Sequence, residues 1–393
     1  MKRLRDPNWV LILLFLGILT AVPIVQTIVE MRGDEGVLAL DLFGERPTAE
    51  NLRSFEHKLD AANWAGRLSR PWLQFAHFAW LKEGGEKVVV GTQGWYFFKP
   101  GLKYMLARPD NAQPNATNDP VAAIVDFRDQ LAARGVRLLV MPVPNKDSIY
   151  PDLLTSRAKI LRGVLTPGTR EVLERLHAAD VEVVDLFKEF SAARQRRSDS
   201  PEAPLYLAQD THWSPAGVAL AAQVVARRII ELGWIQPGHV EYRERTAPVQ
   251  RLGDILRMLQ TPLIERSINP ESVSTVQVVR GEDRRPYRDE ADAEILILGD
   301  SFMRIYETDI PNSAGFIAHL AKELKQPMMS VVNDGGGSTL VREELCSRPV
   351  FLDNKKVVVW EFVERDIGIG IKGWRRMTLP PATAKVPARA DAQ

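Results

Sequence analysis

The 393-residue chain carries a formal net charge of +1, with 45% hydrophobic and 26% charged residues. These proportions exclude a disordered chain, and the even mixture of acidic and basic side chains gives no electrostatic footprint for nucleic acid. A single cysteine, Cys346, excludes an intramolecular disulfide and argues against a thiolate zinc site; beside Leu345 in a helix-like stretch, it reads as a packing thiol.

In chain order, Lys2, Arg3 and Arg5 form a basic flank at residues 1–8, and an apolar run follows from Trp9 to about Val25. The run is close to the ~17–25 residues that cross a bilayer as a helix, and the basic flank assigns its start to the cytoplasmic side. Ala21-Val22-Pro23 makes a poor cleavage site, so residues 9–28 are expected to be an uncleaved signal-anchor, a cleaved signal peptide being the competing reading. Residues 29–84 read as helical and rich in aromatics: Trp64, Trp72, Phe75, Phe78 and Trp80. An amphipathic surface packed on the main domain is preferred there over a carbohydrate-stacking face.

A domain over 85–370 is expected next. Lys87–Val90 and Trp95–Phe98 flank a Gly-containing turn and predict a hairpin, and Pro109–Pro120 predicts a loop. Helices are then predicted at Val121–Arg134, Thr169–Ala178, Ser214–Leu232, Ser313–Leu324 and Ser338–Leu345. They alternate with strands at Val136–Met141, Val181–Val184, Glu294–Leu298, Met328–Val332 and Lys356–Trp360. Ser214 at the N-cap, Pro215 after it and Gly233 past the end make the third helix the clearest. Short apolar strands between helices imply a parallel sheet covered on both faces. An insertion at about 242–288 breaks the pattern, and the Pro- and Ala-rich residues 379–393 read as a disordered tail.

In such sheets ligands bind beyond the carboxyl ends of the strands. Gly299-Asp300-Ser301-Phe302 follows one predicted strand, Asn333-Asp334-Gly335-Gly336-Gly337 another, and Glu361, Arg365 and Asp366 the last. Asp210-Thr211-His212 precedes the clearest helix. A serine needs a base to take its proton, and a histidine base needs an orienting carboxylate. Asp210, His212 and Ser301 therefore form a candidate catalytic set. Each has a plain alternative: Asp210 as a turn former, His212 as a satisfied surface histidine, Ser301 as a helix cap. Asp300 reads as structural. Asp254, after Gly253, reads equally as a site-shaping residue or a turn. The glycine run at 335–337 lacks a dinucleotide fingerprint, and no cofactor or metal is expected.

Gly299-Asp300-Ser301-Phe302 resembles the GDSx block of SGNH hydrolases. Asp210-Thr211-His212 placed before the serine resembles the alginate O-acetyltransferase family, whose SGNH-like domain is circularly permuted. The likeness extends to Gly94-Trp95-Tyr96-Phe97, to Pro144-Asn145-Lys146 with Ile149-Tyr150-Pro151, to Gly253-Asp254 and to Trp360 through Asp366, covering roughly Gly91 to Asp366. The resemblance implies an SGNH-hydrolase-like α/β fold, a three-layer α/β/α sandwich with a mostly parallel sheet. It implies Ser301 as nucleophile, His212 as base and Asp210 as orienter, with Asn333, Gly335, Glu361, Arg365 and Asp254 as candidate oxyanion or substrate residues. It further implies O-acetylation of an alginate-like or cellulose-like exopolysaccharide in the periplasm, from the bacterial inner membrane, beside a membrane-bound O-acyltransferase that supplies the acetyl group. An SGNH-type carbohydrate esterase and a non-catalytic polysaccharide-binding or assembly protein are the alternative readings.

Overall fold

The computed structural model describes residues 7–32, 36–44, 46, 48–107, 118–161, 163–197, 203–369 and 372–381. Lys2, Arg3, Arg5, residues 108–117 of the expected loop and residues 382–393 of the expected tail lie outside them. The chain divides into two compact units, Met1–Lys82 with Thr261–Ser267, and Glu83–Gln260 with Ile268–Gln393.

In the first unit, one helix runs Pro7–Met31 with Pro23 inside it. Its stretch Trp9–Met31 has a mean hydropathy of 2.4 and is long and apolar enough to cross a membrane. Helices Ala49–Ala62 and Trp64–Ala76 follow, then a wide turn of helix at His77–Leu81. Thr48 and Asn63 cap the two longer helices by accepting from Asn51 and Gly66 N–H groups. The expected packed aromatic face is not what forms: Phe78 is buried, but Trp72 and Trp80 are exposed, and neither longer helix buries a residue.

Among its described residues the second unit holds ten strands: β1 Glu83–Gly84, β2 Val88–Val90, β3 Tyr96–Phe98, β4 Arg137–Val143, β5 Glu182–Val183, β6 Tyr242–Arg251, β7 Glu271–Arg280, β8 Ile295–Gly299, β9 Met329–Val332 and β10 Val357–Val363. The expected hairpin is β2–β3, extended by β1 into a small antiparallel sheet. The main sheet has the order β5-β4-β10-β8-β9, and every pairing is parallel. β10, last in the chain, lies at its centre, aligning Val357 with Arg137 on one side and Ile295 on the other.

Strand periodicity sorts the core onto two faces. Leu139, Met141, Ile295, Ile297, Val357 and Val359 join Leu186, Phe190, Val218, Ala222 and Leu320 on one side. Leu138, Val140, Leu296, Leu298, Val358 and Trp360 join Ile124, Phe127, Val172, Leu176, Val341 and Leu345 on the other. The first set belongs to helices Leu186–Arg197, Pro215–Glu231 and Phe316–Leu324, the second to Pro120–Ala132, Pro167–Ala178 and Leu340–Ser347. The result is the expected α/β/α sandwich. Helix Leu186–Arg197 has no counterpart in the sequence reading, because its face is strongly charged. Cys346 is half-buried against the second face.

The insertion is a long antiparallel ribbon of β6 and β7, paired from Tyr242↔Arg280 to Arg251↔Glu271, with helix Asp254–Arg257 after its first strand; helix Pro262–Ser267, next in the chain, belongs to the first unit. The end at which the ribbon's strands are joined brings Arg251 and Asp254 onto Asp210.

Trp360 sits in the central strand, fully buried, edge-on to Phe127 at 5.2 Å, with its indole N–H donating to the Gly337 carbonyl at 2.6 Å. Replacing Trp360 by Ala is expected to cost about 3–5 kcal/mol. A urea titration of the detergent-solubilised full chain, followed by circular dichroism, should show a clearly lowered midpoint; an unchanged midpoint would refute this account of the core.

Candidate active site

β8 ends at Gly299, and no side chain fits there: an added Cβ would lie 2.3 Å from Met303 Cγ and 2.7 Å from Glu361 Oε2. The next residue, Asp300, donates its N–H to Glu361 Oε2 at 2.9 Å and accepts the Phe302 N–H at 2.9 Å. Asp300, not Ser301, is thus the cap of the short helix Ser301–Arg304. The turn leaves Ser301 at the sheet's edge.

The Asp210–His212 loop is fixed from two sides. Lys146, buried after β4, donates from Nζ to the carbonyls of Leu207 (2.8 Å), Ala208 (3.0 Å) and Asp210 (2.8 Å). The Glu271 carboxylate accepts the Ala208 and Gln209 N–H groups at 2.9 and 2.8 Å. Gly253 passes so near that an added Cβ would stand 2.0 Å from the Gln209 carbonyl oxygen. Trp213 is buried against Phe302 and Phe316 at 5.3 and 5.8 Å. Ser214 then caps the helix that carries the chain away, accepting from Gly217 N–H at 3.3 Å.

Between these two loops runs one hydrogen-bonded line. Ser301 Oγ lies 2.8 Å from His212 Nε2, and His212 Nδ1 lies 2.6 Å from Asp210 Oδ1. Asp210 is completely buried, yet each of its oxygens has two donors. Oδ1 also accepts the His212 N–H at 3.1 Å; Oδ2 accepts Arg251 Nε–H at 2.9 Å and the Asp254 N–H at 3.2 Å. Asp254 in turn accepts from Thr211 N–H at 2.7 Å and Thr211 Oγ–H at 2.6 Å, and comes within 3.6 Å of His212 Nδ1.

The electrostatics follow from burial and from these partners. Burial alone would lift the Asp210 pKa, but the His212 charge and hydrogen bond, followed by the Arg251 charge, hold it well below the ordinary carboxylate range. Burial alone would lower His212; Asp210, with Asp254 and Asp300 behind it, outweighs burial and raises the imidazole above its ordinary value. Burial lowers Lys146 to about 8 against four attracting carboxylates. Beneath the serine turn, burial pushes Glu361 well above its usual value, with the Asp300 charge adding, and raises Asp366 to about 7. Burial thus disfavours the charged form of both acids.

The remaining expected site residues fall in three places. Asp254 lines an open cleft of about 830 Å³ together with His212 and Ser301. Asn333 and Gly335 lie on the loop after β9, tied to the serine turn by the Asn333 N–H to the Gly299 carbonyl at 3.0 Å; Gly335 has φ +69°. Glu361 is fully buried, supporting Asp300 from below rather than facing the cleft, because its carboxylate is committed to that backbone N–H. Arg365 lies 5.1 Å over the Phe98 ring and is not among the cleft's lining residues. The cleft wall includes Arg251, Arg257, Arg304 and Asp309, which carry no expectation from sequence, and Asp334 of the strand-end loop. Arg251 Nη1 bonds Asp309 at 3.1 Å, Arg304 Nη1 bonds the same carboxylate at 2.5 Å, and Arg304 Nε bonds Asp334 at 2.8 Å. Arg304 was within reach, standing one helical turn past Ser301. Among the described residues, Asp210, His212 and Asp254 offer ligand atoms within 4.8 Å of one another. An ion there would have to displace the Asp210–His212 bond and face the Arg251 guanidinium.

Comparison with known proteins places this arrangement. The family described as "SGNH hydrolase-like domain, acetyltransferase AlgX" matches residues 88–364. The probable alginate O-acetylase AlgJ of Pseudomonas syringae pv. tomato is 24% identical over 302 residues, covering 73% of this chain and 71% of the relative. That of Pseudomonas aeruginosa is 26% identical over 297 residues, covering 72% and 71%. Among solved structures, the O-acetyltransferase domain of Pseudomonas putida AlgJ superposes with a TM-score of 0.57 at 21% identity, over 72% of this chain and 93% of that one. Pseudomonas aeruginosa AlgX gives a TM-score of 0.52 at 17% identity, over 70% and 61%.

The raised His212 pKa depends on carboxylates, so removing one must move it down. Asp254→Asn keeps an oxygen acceptor for Thr211 and deletes a negative charge beside Nδ1, which disfavours the imidazolium. A pH titration of the ring ¹⁵N shifts of histidine-labelled protein should place the His212 midpoint lower in the variant. An unchanged or higher midpoint would show that Asp254 does not act on the imidazole.

Proposed function

The chain belongs to the AlgX family of SGNH hydrolase-like acetyltransferase domains, and from that membership we propose that it moves an acetyl group through an acyl-serine on Ser301 to hydroxyls of an exopolysaccharide. The observation that carries this reading is the unbroken line from Asp210 through His212 to Ser301. The names of the relatives, alginate O-acetylases, support a polysaccharide acceptor.

The chemistry is two acyl transfers. As Ser301 Oγ attacks the acetyl carbonyl, His212 Nε2 takes its proton, and Asp210 holds the opposite N–H and stabilises the imidazolium. The tetrahedral oxyanion is held by the Ser301 N–H and by donors of the loop bearing Asn333 and Gly335. Collapse expels the donor's leaving group, which takes the proton from His212. A sugar hydroxyl then attacks the acyl-serine, giving its proton to His212, and Ser301 leaves with that proton restored. Asp254 and Arg251 act on this exchange through Asp210 and His212, and Glu361 through the turn that presents Ser301. The opposed charges of the cleft wall suit a polymer rich in hydroxyls.

Residues 9–28 act as a signal-anchor in the inner membrane, the segment 29–84 links it to the acetyltransferase domain at 85–370, and that domain works in the periplasm. The acetyl group reaches it from a membrane-bound O-acyltransferase partner.

Incubating the full-length protein with an activated acetyl ester and a polysaccharide-derived oligosaccharide tests the reaction. Mass spectrometry should detect an acetylated oligosaccharide and a transient acetyl adduct on the Ser301 peptide. Ser301→Ala and His212→Gln should each lower the product at least about a thousandfold with the circular dichroism spectrum unchanged. Undiminished product from Ser301→Ala would refute the acyl-serine. Free acetate with no acetylated sugar would make the protein an esterase instead.

A further inference from the structure

The Trp64–Leu81 segment has a built asymmetry that acetyl transfer does not use. Residues four apart fall on one side of a helix, and Trp64, Leu68, Trp72, Ala76 and Trp80 form such a row. Pro71 and Phe75 widen it, while Arg67, Arg70 and Gln74 lie on the opposite side. The apolar row is not packed away: Leu68 is 65% exposed, Trp72 62%, Trp80 82% and Leu81 62%. Soluble surfaces rarely leave two tryptophans and a leucine uncovered along one helical face, with a further leucine exposed at its end. The polar side is engaged within the same unit. Arg70 pairs with Asp60, Arg67 donates to the Ala62 carbonyl at 3.1 Å, and Gln74 Oε1 accepts from Thr261 Oγ at 2.9 Å.

The start of this segment is fastened to the long apolar helix. Gln26, near that helix's end, donates from Nε2 to the Ala62 carbonyl at 3.1 Å and accepts the Trp64 N–H at 3.0 Å. Trp64 lines one apolar groove with Leu14, Ile18, Val22 and Val25 of the same helix. The exposed row is therefore continuous with the face of a helix suited to hydrocarbon.

We infer that Trp64–Leu81 is an interfacial helix that lays its Trp- and Leu-bearing face into the headgroup–acyl boundary of the bilayer that the Pro7–Met31 helix crosses. The inference rests on reading that helix as a membrane anchor. Its occupant is a lipid surface. Tryptophan indoles favour the membrane–water boundary, with the ring body in the apolar zone and the N–H toward water. Leucines interleaved with the indoles suit acyl chains better than sugar rings, which stack on flat aromatic platforms. Lys82, exposed at the end of the segment, suits anionic headgroups.

Depth-dependent fluorescence quenching tests this in the full chain. In a Cys346→Ser background, single cysteines at Ile18, Arg67, Leu68 or Leu81 are labelled with nitrobenzoxadiazole. Each protein is reconstituted into phosphatidylcholine–phosphatidylglycerol vesicles carrying nitroxide lipids, with the nitroxide either near the headgroup or near the chain end. The expected result is loss of most emission at positions 68 and 81 with the shallow nitroxide, little loss at 67, and strongest loss at 18 with the deep one. Quenching at 18 with none at 68 and 81 would overturn the interfacial helix and leave the anchor standing; that is also the outcome if a protein or polysaccharide covers the row. Quenching at 68 and 81 only by the deep nitroxide would overturn it in favour of a second buried segment. No quenching at any position would overturn anchor and interfacial helix together.

Discussion

The arrangement depends on one buried charge. Asp210 is sealed from solvent, and an isolated carboxylate there would be prohibitively costly. It is tolerated because four donors converge on its two oxygens, two from His212 and two from the Arg251–Asp254 segment. Those donors come from different parts of the chain, so satisfying Asp210 brings the ribbon insertion to the histidine loop. The same bonds fix the imidazole's orientation, since Nδ1 facing Asp210 leaves Nε2 for Ser301. The bonds that satisfy Asp210 thus also aim the imidazole at Ser301.

The surrounding structure holds the two loops at the right separation. Ser301 is placed by a strand end, and its turn is braced by Glu361 on the neighbouring central strand. The histidine loop contributes little regular structure of its own, only an isolated bridge between Tyr206 and Trp213. It is held instead by Lys146 and Glu271, a buried ammonium filling three carbonyls from one side and a carboxylate taking two N–H groups from the other. Lys146 comes from the end of β4 and Glu271 from the start of β7. The loop is therefore clamped between the main sheet and the ribbon, the two structures whose edges flank the cleft.

Much of this was legible from sequence because it is local. Apolar runs of strand length gave all five strands of the main sheet, and Ser214-Pro215 gave the start of the helix after His212. Gly299 before Asp300-Ser301 signalled a sharp turn at a strand end, and Asp-x-His spacing allowed both side chains to share one side of a loop. What escaped is non-local. Nothing near Arg251 marks it as the partner of a carboxylate 41 residues earlier, since one arginine among many carries no address. The insertion's ribbon was hidden because its first strand is mostly exposed, so alternation between apolar and polar residues is weak there. Glu361, polar and at a strand end, looked like a cleft residue. Its burial follows from β10 lying at the sheet's centre, which strand periodicity does not reveal. At Trp72 and Trp80 the expectation of a packed aromatic face failed for a related reason: periodicity identifies an apolar face but not what covers it.

The cleft wall carries the last consequence. Arg251, Asp309, Arg304 and Asp334 alternate in sign along a continuous chain of ion pairs. This chain starts at Asp210 and ends on the loop after β9. It joins the ribbon, the serine's helix and the Asn333–Gly337 loop, the three elements around Ser301. These side chains are partly exposed, so each pair alone contributes little to stability. Their value lies in orientation: Arg251 cannot turn toward a ligand without releasing Asp210, while Arg304 is held by two carboxylates. Arg257, which lines the same cleft, stands outside this chain of pairs. The wall of the cleft therefore presents dipoles already fixed by these pairs. Because Arg251 bonds both Asp309 and Asp210, the wall and the Asp210–His212 pair are coupled rather than independent.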